Sequence, residues 1–287
     1  MKIGHLNTSE RVVIVAEIGV NHEGDVRAAE ELVHRAADAG ADAVKFQVYR
    51  TELYADPADR ERHERLERFE LPADELRYLA VLSHDLSLAF IATPFDLESA
   101  DLCIEICDAV KIASKDIDLW PLLERVADSD RPMIVSTGMC DLERVRRTVE
   151  WINARRDEDL GLAVLHCVSS YPVPARQAEL RAISLLACMS CCEVGYSDHT
   201  QNSMAPTLAV ALGARIIEKH FTLDRAYSDF RDHRISANPG EMTKLVQRIR
   251  QAEAMLGEPV KRVQPCELDT IAACERERAF RVSRLTC

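Results

Sequence analysis

No stretch of this chain approaches the roughly 18 uninterrupted apolar residues that a membrane span needs, although 47% of its 287 residues are hydrophobic. The N-terminal MKIGHLNTSERVV has no apolar core followed by a cleavage site, so no secretory signal is read there and a cytoplasmic location is the expectation. Basic charge is short: 36 lysines and arginines face 48 aspartates and glutamates, and the net charge of −12 argues against nucleic acid or an anionic membrane as partner. An anionic substrate would therefore need its own local cluster of lysines, arginines or backbone N–H groups. A second CxxC pair is also missing. Cys188, Cys191 and Cys192 carry one such spacing, but nothing follows at zinc-site distance, and the ten cysteines are scattered through apolar segments as reduced thiols.

What is present is a repeat of apolar strand and amphipathic helix. Strands are read at 12–17, 43–47, 88–93, 109–113, 132–136, 162–167, 193–197 and 215–221. Helices fall at 25–39, 73–86, 97–106, 121–127, 142–154, 177–188, 203–212 and 240–256. The strands are apolar throughout, as a parallel sheet covered by helices requires. Eight such units in about 250 residues predict a closed (β/α)8 TIM barrel over residues 1–257, with an open doubly wound sheet as the other arrangement. Two segments fall outside the repeat. Residues 50–71 are a charge-rich insertion that a barrel would place on its active-site face, as a lid or a solvated loop. Residues 258–287 are a polar tail with no strand pattern, too short for an independent domain.

Barrel enzymes build their sites at the C-terminal strand ends, and polar residues collect there on every strand. Lys45 and Lys111 interrupt strongly apolar runs (AVKFQ and AVKIAS), where a buried ammonium is costly unless an anion meets it. With the hydroxyls of Thr93, Ser114 and Ser136 they describe a phosphate, or phosphate plus carboxylate, pocket. Glu17, Asp116, His220 and His233 describe a neighbouring acid/base and metal zone. Twelve residues separate the two histidines, enough for a loop to return the second imidazole over the strand that carries the first. Each residue has a plainer reading as well. The hydroxyls serve as helix caps, His220 packs in the rim, and His233 is a loop residue.

The blocks AEIGVNHEGD (16–25), DAVKFQ (42–47), ATPFD (92–96), VKIAS (110–114), PMIVSTGM (132–139), HCVSSYP (166–172), GYSDHT (195–200) and IEKHFTLDR (217–225) resemble the sialic acid synthase family, which includes N-acetylneuraminate, legionaminate and pseudaminate synthases. The resemblance runs in order from about residue 12 to 257. It implies condensation of phosphoenolpyruvate with an N-acylated aldose, release of phosphate and formation of a nine-carbon 2-keto acid, assisted by a divalent metal, Mn2+ or Mg2+. On that basis Lys45, Thr93, Lys111, Ser114 and Ser136 hold phosphoenolpyruvate, and Gln47, Ser169 and Tyr171 complete the substrate contacts toward the sugar. His220 and His233 ligate the metal, and Glu17 and Asp116 handle the water that adds at carbon 2.

The resemblance also implies a C-terminal domain similar to antifreeze protein that reaches across a dimer to the partner's sugar site. The sequence ends near the point where its linker would begin (RVSRL, 281–285). The expectation is a sugar site left open, completed by a separate protein, or shaped for another acceptor, with a barrel-to-barrel homodimer as the remaining assembly. Lys115 stands where the family prefers glycine, Asp116 where some relatives have glutamate, and Glu179 where an asparagine is usual; SDFRDH lacks the usual glycine before DH. These departures, the last two expected near the acceptor, keep open the same condensation with a different aldehyde, or a non-catalytic barrel partner.

Overall fold

The computed structural model describes residues 1–189, 192–201 and 203–285, so Cys191 of the CxxC spacing lies outside the described residues. A short antiparallel hairpin, β1 (Lys2–Ile3) and β2 (Leu6–Asn7), precedes eight parallel strands. These are β3 (Val13–Gly19), β4 (Ala43–Val48), β5 (Ala89–Pro94), β6 (Ala109–Ile112), β7 (Met133–Ser136), β8 (Leu162–Cys167), β9 (Glu193–Asp198) and β10 (Ile216–His220). Each pairs with the next and β10 pairs back with β3, so the sheet closes into the predicted TIM barrel. The hairpin strands are two residues each, too short for alternation to show in the sequence.

Successive side chains of a strand point to opposite faces, and the two parities separate cleanly. Val13, Val15, Ile91, Ile134, Leu165 and Ile216 fill the lower lumen, which Ile3 and Leu6 of the hairpin join from the N-terminal side. The opposite parity, including Ile14, Phe46, Phe90, Val110, Val164 and Ile217, belongs to the larger core shared with the helices. Continuing the inward parity upward replaces aliphatics with Glu17, Lys45, Thr93, Lys111, Ser136 and Glu218, all buried. The lumen is thus oily below and ionic above.

The covering helices are α1 (Val26–Asp38), then α2 (Thr51–Tyr54) and α3 (Arg60–Phe69) in the insertion, then α4 (Ala73–Asp85), α5 (Leu97–Ile106), α6 (Trp120–Ala127), α7 (Leu142–Asn153), α8 (Arg181–Ala187), α9 (Met204–Ala211), α10 (Arg231–Ile235) and α11 (Pro239–Leu256). Asp25, Asp96 and Asp141 cap α1, α5 and α7 by accepting backbone N–H groups of the first turn. The helix expected over 177–188 is shortened to α8, because Glu179 takes a left-handed φ of 46° that a helix cannot contain. Glu179 is an exposed turn residue and does not line the cavity described below, contrary to the placement expected near the acceptor. Asp42 fastens the last barrel helix. Its Oδ2 accepts from Ile14 N at 2.8 Å and lies 2.5 Å from Arg250 Nη2 of α11.

The insertion is ordered and packs on the barrel. Val20, Tyr49 and Phe69 form a buried cluster with Tyr54, Leu66, Phe95 and Phe230 against it. Residues Met1–Met255 and Leu256–Cys287 form two compact units. The second carries α12 (Leu268–Leu285), preceded by a turn in which the Glu267 carboxylate accepts the Gln264 N–H at 2.7 Å. No described helix is long and apolar enough to cross a membrane.

Candidate active site

A cavity of about 1030 Å3 opens at the C-terminal strand ends. Glu17, Lys45, Gln47, Thr93, Lys111, Ser114, Ser136, Ser169, Tyr171 and His220 all line it. Asp116 and His233, expected in the same set, do not.

Lys45 lies at the centre. Its Nζ is 2.9 Å from Glu17 Oε2 and 3.5 Å from Glu218 Oε2, and donates to Thr93 Oγ1 at 3.2 Å. Glu17 and Lys45 face each other in the β3–β4 register, which then shifts between Glu17 and Gly19. Such irregularities at a barrel rim re-aim side chains. Gly19 has φ of 59°, and a β-carbon there would stand 3.2 Å from Glu17 Oε1. The pairing of Lys45 with Glu17 is an ion pair without hydrogen-bond alignment, so Glu17 Oε2 keeps a buried lone pair unused.

The two carboxyls that share Lys45 have opposite proton affinities. Burial pushes Glu17 above the usual carboxylate range, and Lys45 only partly offsets it. Burial also pushes Glu218 up, but Lys45, Lys111 and the Ser197 hydroxyl at 2.8 Å outweigh it and hold this carboxyl at about 2. Glu218 is the fixed anion of the site and Glu17 its titratable partner.

Lys111 is differently placed. Its Nζ donates to the Ile112 carbonyl at 3.1 Å, and among the described residues no carboxylate lies within ion-pair distance. Burial lowers its pKa, with Glu218 opposing. Nearby on the cavity wall, Ser136 Oγ is buried without a partner, and Ser114 Oγ accepts the Gly138 N–H at 2.9 Å. Gly138 is required by close approach: a β-carbon would fall 2.2 Å from Ser169 Oγ and 2.9 Å from Ser114 Oγ.

His220 is buried, its Nδ1 has no partner, and burial with His199 beside it drives its pKa well below the imidazole value. It is a neutral imidazole. His233 lies off the cavity wall, with Nδ1 2.7 Å from Thr222 Oγ1 and Nε2 3.2 Å from Glu23 Oε1; Glu23 does line the cavity. Among the described residues no three His, Cys, Asp or Glu side chains already form a metal-binding group. Asp116 also sits behind the wall, where burial raises its carboxyl and leaves Oδ2 without a hydrogen bond.

Several wall residues fell outside the set expected from sequence. Glu218 shares the face of His220 two residues on, so strand parity could have found it. The Cys167–His199 contact at 3.8 Å joins neighbouring strands, and only their register brings it together. The insertion contributes Tyr54, Arg62, Arg65 and Arg68 to the wall, and the loop before α10 contributes Ser228 and Asp229.

Residues 32–261 match the NeuB family. An uncharacterised protein of Methanocaldococcus jannaschii is 41% identical over 279 residues, covering 96% of this chain and 82% of that one. The N,N'-diacetyllegionaminic acid synthase of Legionella pneumophila is 38% identical over 284 residues, covering 93% of this chain and 80% of its own. The crystal structure of an N-acetylneuraminic acid synthetase from Leptospira borgpetersenii, in complex with citrate, superposes with a TM-score of 0.88 at 35% identity, covering 97% of each chain. The chain therefore belongs to the NeuB family and is an enzyme of the sialic acid synthase type.

Proposed function

We propose that this barrel condenses phosphoenolpyruvate with an N-acylated aldose, resembling N-acetylmannosamine, to give a nonulosonic, sialic-type 2-keto acid and inorganic phosphate. The observation that carries the reading is Lys111, a buried ammonium with no protein carboxylate, beside Lys45 and the partnerless Ser136 hydroxyl in one cavity. That arrangement asks for a small dianion. Lys45, Thr93, Lys111, Ser114 and Ser136 hold the phosphate and carboxylate of phosphoenolpyruvate; Gln47, Ser169 and Tyr171 face the sugar.

Carbon 3 of phosphoenolpyruvate attacks the aldehyde carbon, and positive charge develops at carbon 2. Glu218, ionised throughout, stabilises that charge. The alkoxide left at the former aldehyde carbon is protonated. Water adds at carbon 2, losing one proton to Glu17, and its second proton leaves with the phosphate as the carbon 2 carbonyl forms and the C–O bond breaks with its electron pair on phosphate. The two protons of water thus balance the one taken by the alkoxide and the one carried off by phosphate. Glu17 suits this exchange because its raised affinity lets it hold the proton it takes.

A divalent ion, Mn2+ or Mg2+, fits the donors on the far side. His220 offers a neutral imidazole with Nδ1 unused, and Thr222 orients His233 so that its Nε2 points to the cavity-lining Glu23. When bound by His220 and His233, such an ion supplies Lewis acidity at the acceptor aldehyde.

The test is phosphate release from phosphoenolpyruvate with Mn2+ and a panel of aldoses, with the product mass read alongside. Release with N-acetylmannosamine or a diacetamido-hexose, giving a nine-carbon acid, is expected. Release only with another aldehyde keeps the condensation and changes the acceptor, and silence with every acceptor ends the reading.

A further inference from the structure

We propose that Lys115 is a positioning residue for the reaction: through the ring of Tyr54 it fastens the 50–71 insertion to the turn that carries Ser114, and so fixes the outer wall of the cavity on the acceptor side. The inference rests on the condensing function above and adds the element that holds that wall in place.

The insertion is anchored at both ends by contacts that do not involve Lys115. Where it leaves β4, the Tyr49 hydroxyl donates to the Leu66 carbonyl at 3.1 Å and the Arg50 N–H donates to Asp96 Oδ2 at 2.8 Å. Where it returns, the buried Phe69 packs edge-on against Phe230 with ring centroids 5.3 Å apart. The middle is more thinly held. Residues 56–60 are all exposed, and α3 buries one residue, Phe69, at its C-terminal end.

Tyr54, the last residue of α2, lies in that middle stretch. Its ring stacks on Phe95, just after β5, with centroids 4.7 Å and planes 13° apart. Lys115 reaches the pair from the turn after β6. Its Nζ donates to Tyr54 Oη at 2.9 Å and lies 4.2 Å from the Tyr54 centroid and 4.4 Å from that of Phe95. The Arg62 guanidinium of α3 stands 4.8 Å from the Tyr54 centroid. One ring therefore joins the β6 turn, α2 and α3. Aromatic rings attract an ammonium without a carboxylate, and the carboxylate within ion-pair range of Lys115, that of Asp116, is 3.9 Å away. At that distance and with Lys115 partly exposed, such a pair contributes little; the phenol and the two rings direct the ammonium.

The two substrates depend on this contact differently. Lys45, Thr93, Lys111 and Ser136 stand on strands whose positions the barrel register fixes, and Ser114 is held by the Gly138 N–H. The outer wall is built in part by the insertion, through Tyr54, Arg62, Arg65 and Arg68. Loosening Lys115 changes what the acceptor meets and leaves the inner pocket intact.

The experiment measures amide hydrogen exchange over residues 50–71, and steady-state kinetics with phosphoenolpyruvate, N-acetylmannosamine and Mn2+, in the wild type, Lys115→Met and Lys115→Arg. In Lys115→Met the amides of the insertion are expected to exchange at least about fivefold faster while those of the barrel strands keep their rates. The acceptor KM should rise by at least about fivefold, with kcat and the phosphoenolpyruvate KM within about twofold of wild type. Lys115→Arg, which keeps a cation and a donor, should restore both the protection and the KM. Unchanged exchange in Lys115→Met, an unchanged acceptor KM, or an equal rise in both KM values overturns the inference and leaves the condensation standing. If no aldose turns over, the condensing reading fails by itself and the exchange decides the attachment: faster exchange confined to the insertion supports it, and none overturns it. Should Lys115→Met not fold, Tyr54→Phe, which removes only the hydroxyl, is read by the same outcomes.

Discussion

The Lys111 ammonium donates to the carbonyl of its own neighbour, Ile112, at 3.1 Å, and no carboxylate of the described residues reaches it. Two strands away the Lys45 ammonium stands within 3.5 Å of two. The two lysines occupy near-identical sequence contexts, yet only one is neutralised by the protein. On the proposed function the ligand, and not the fold, is the counter-ion of Lys111.

Replacing Lys111 by Met is therefore expected to stabilise the ligand-free protein, by roughly 1 to 3 kcal/mol, since it removes a buried charge without breaking an ion pair. The same variant should lose the rise in melting temperature that phosphoenolpyruvate gives the wild type. The pH dependence has a definite sign. A lysine whose folded pKa lies below 10.5 binds fewer protons folded than unfolded, so its penalty is full below the folded pKa and fades as pH rises toward the unfolded one. Alkaline melting curves of the two proteins should converge; a destabilised Lys111→Met at neutral pH would contradict the assignment.

Glu17→Gln should cut turnover by about 100-fold or more while phosphoenolpyruvate binding persists, because one negative charge near the phosphate site is removed. With Glu17 as the proposed base, the active form is the ionised carboxylate and its pKa is raised, so kcat/KM is expected to fall with decreasing pH at values above the ordinary carboxylate range. That limb should vanish in the variant's residual activity. Glu218, held at about 2, contributes no titration in the working range.

Chelation by EDTA is expected to abolish turnover, and Mn2+ to restore it. His220→Ala and His233→Ala should each lower the metal content measured by equilibrium dialysis, at least tenfold in affinity. If His233 serves only its contacts with Thr222 and Glu23, its variant will bind metal normally and only His220→Ala will fail. Because burial keeps His220 neutral well below the ordinary imidazole range, metal loss on mild acidification should not be traceable to that residue.

Glu179→Asn is expected to raise stability by about 0.5 to 1 kcal/mol without altering turnover, since asparagine accepts the left-handed φ of 46° more readily than glutamate. A melting temperature that does not rise would show that the turn relaxes around glutamate at no cost.

The inward-facing residues of each strand could be read two by two along the chain: aliphatic low in the barrel, ionisable at the top. Lys45 and Lys111 were identifiable because each interrupts an apolar run, and His220 because it ends a β-branched strand twelve residues before His233. Glu218 needed only the step of counting back from His220. Asp116 and His233 could not be placed, since one lies in the turn after β6 and the other in the five-residue helix α10, both beyond the strand ends and too short for any periodicity to say which way a side chain faces. The hairpin β1–β2 and the packing of α2 and α3 escaped for a related reason: two-residue strands and charge-rich helices carry too little pattern to declare a partner.

Sequence alone determined the alternation of strand and helix, the apolar outer faces and the kinds of chemical group at the barrel mouth, because these depend on spacing within one segment. Only the tertiary structure decided which carboxylates meet Lys45, that Lys111 meets none, and that Arg62 and Lys115 share the ring of Tyr54. Those relationships join residues from different strands and loops. Closure of the barrel and the register between its strands set such distances, and no local pattern encodes them.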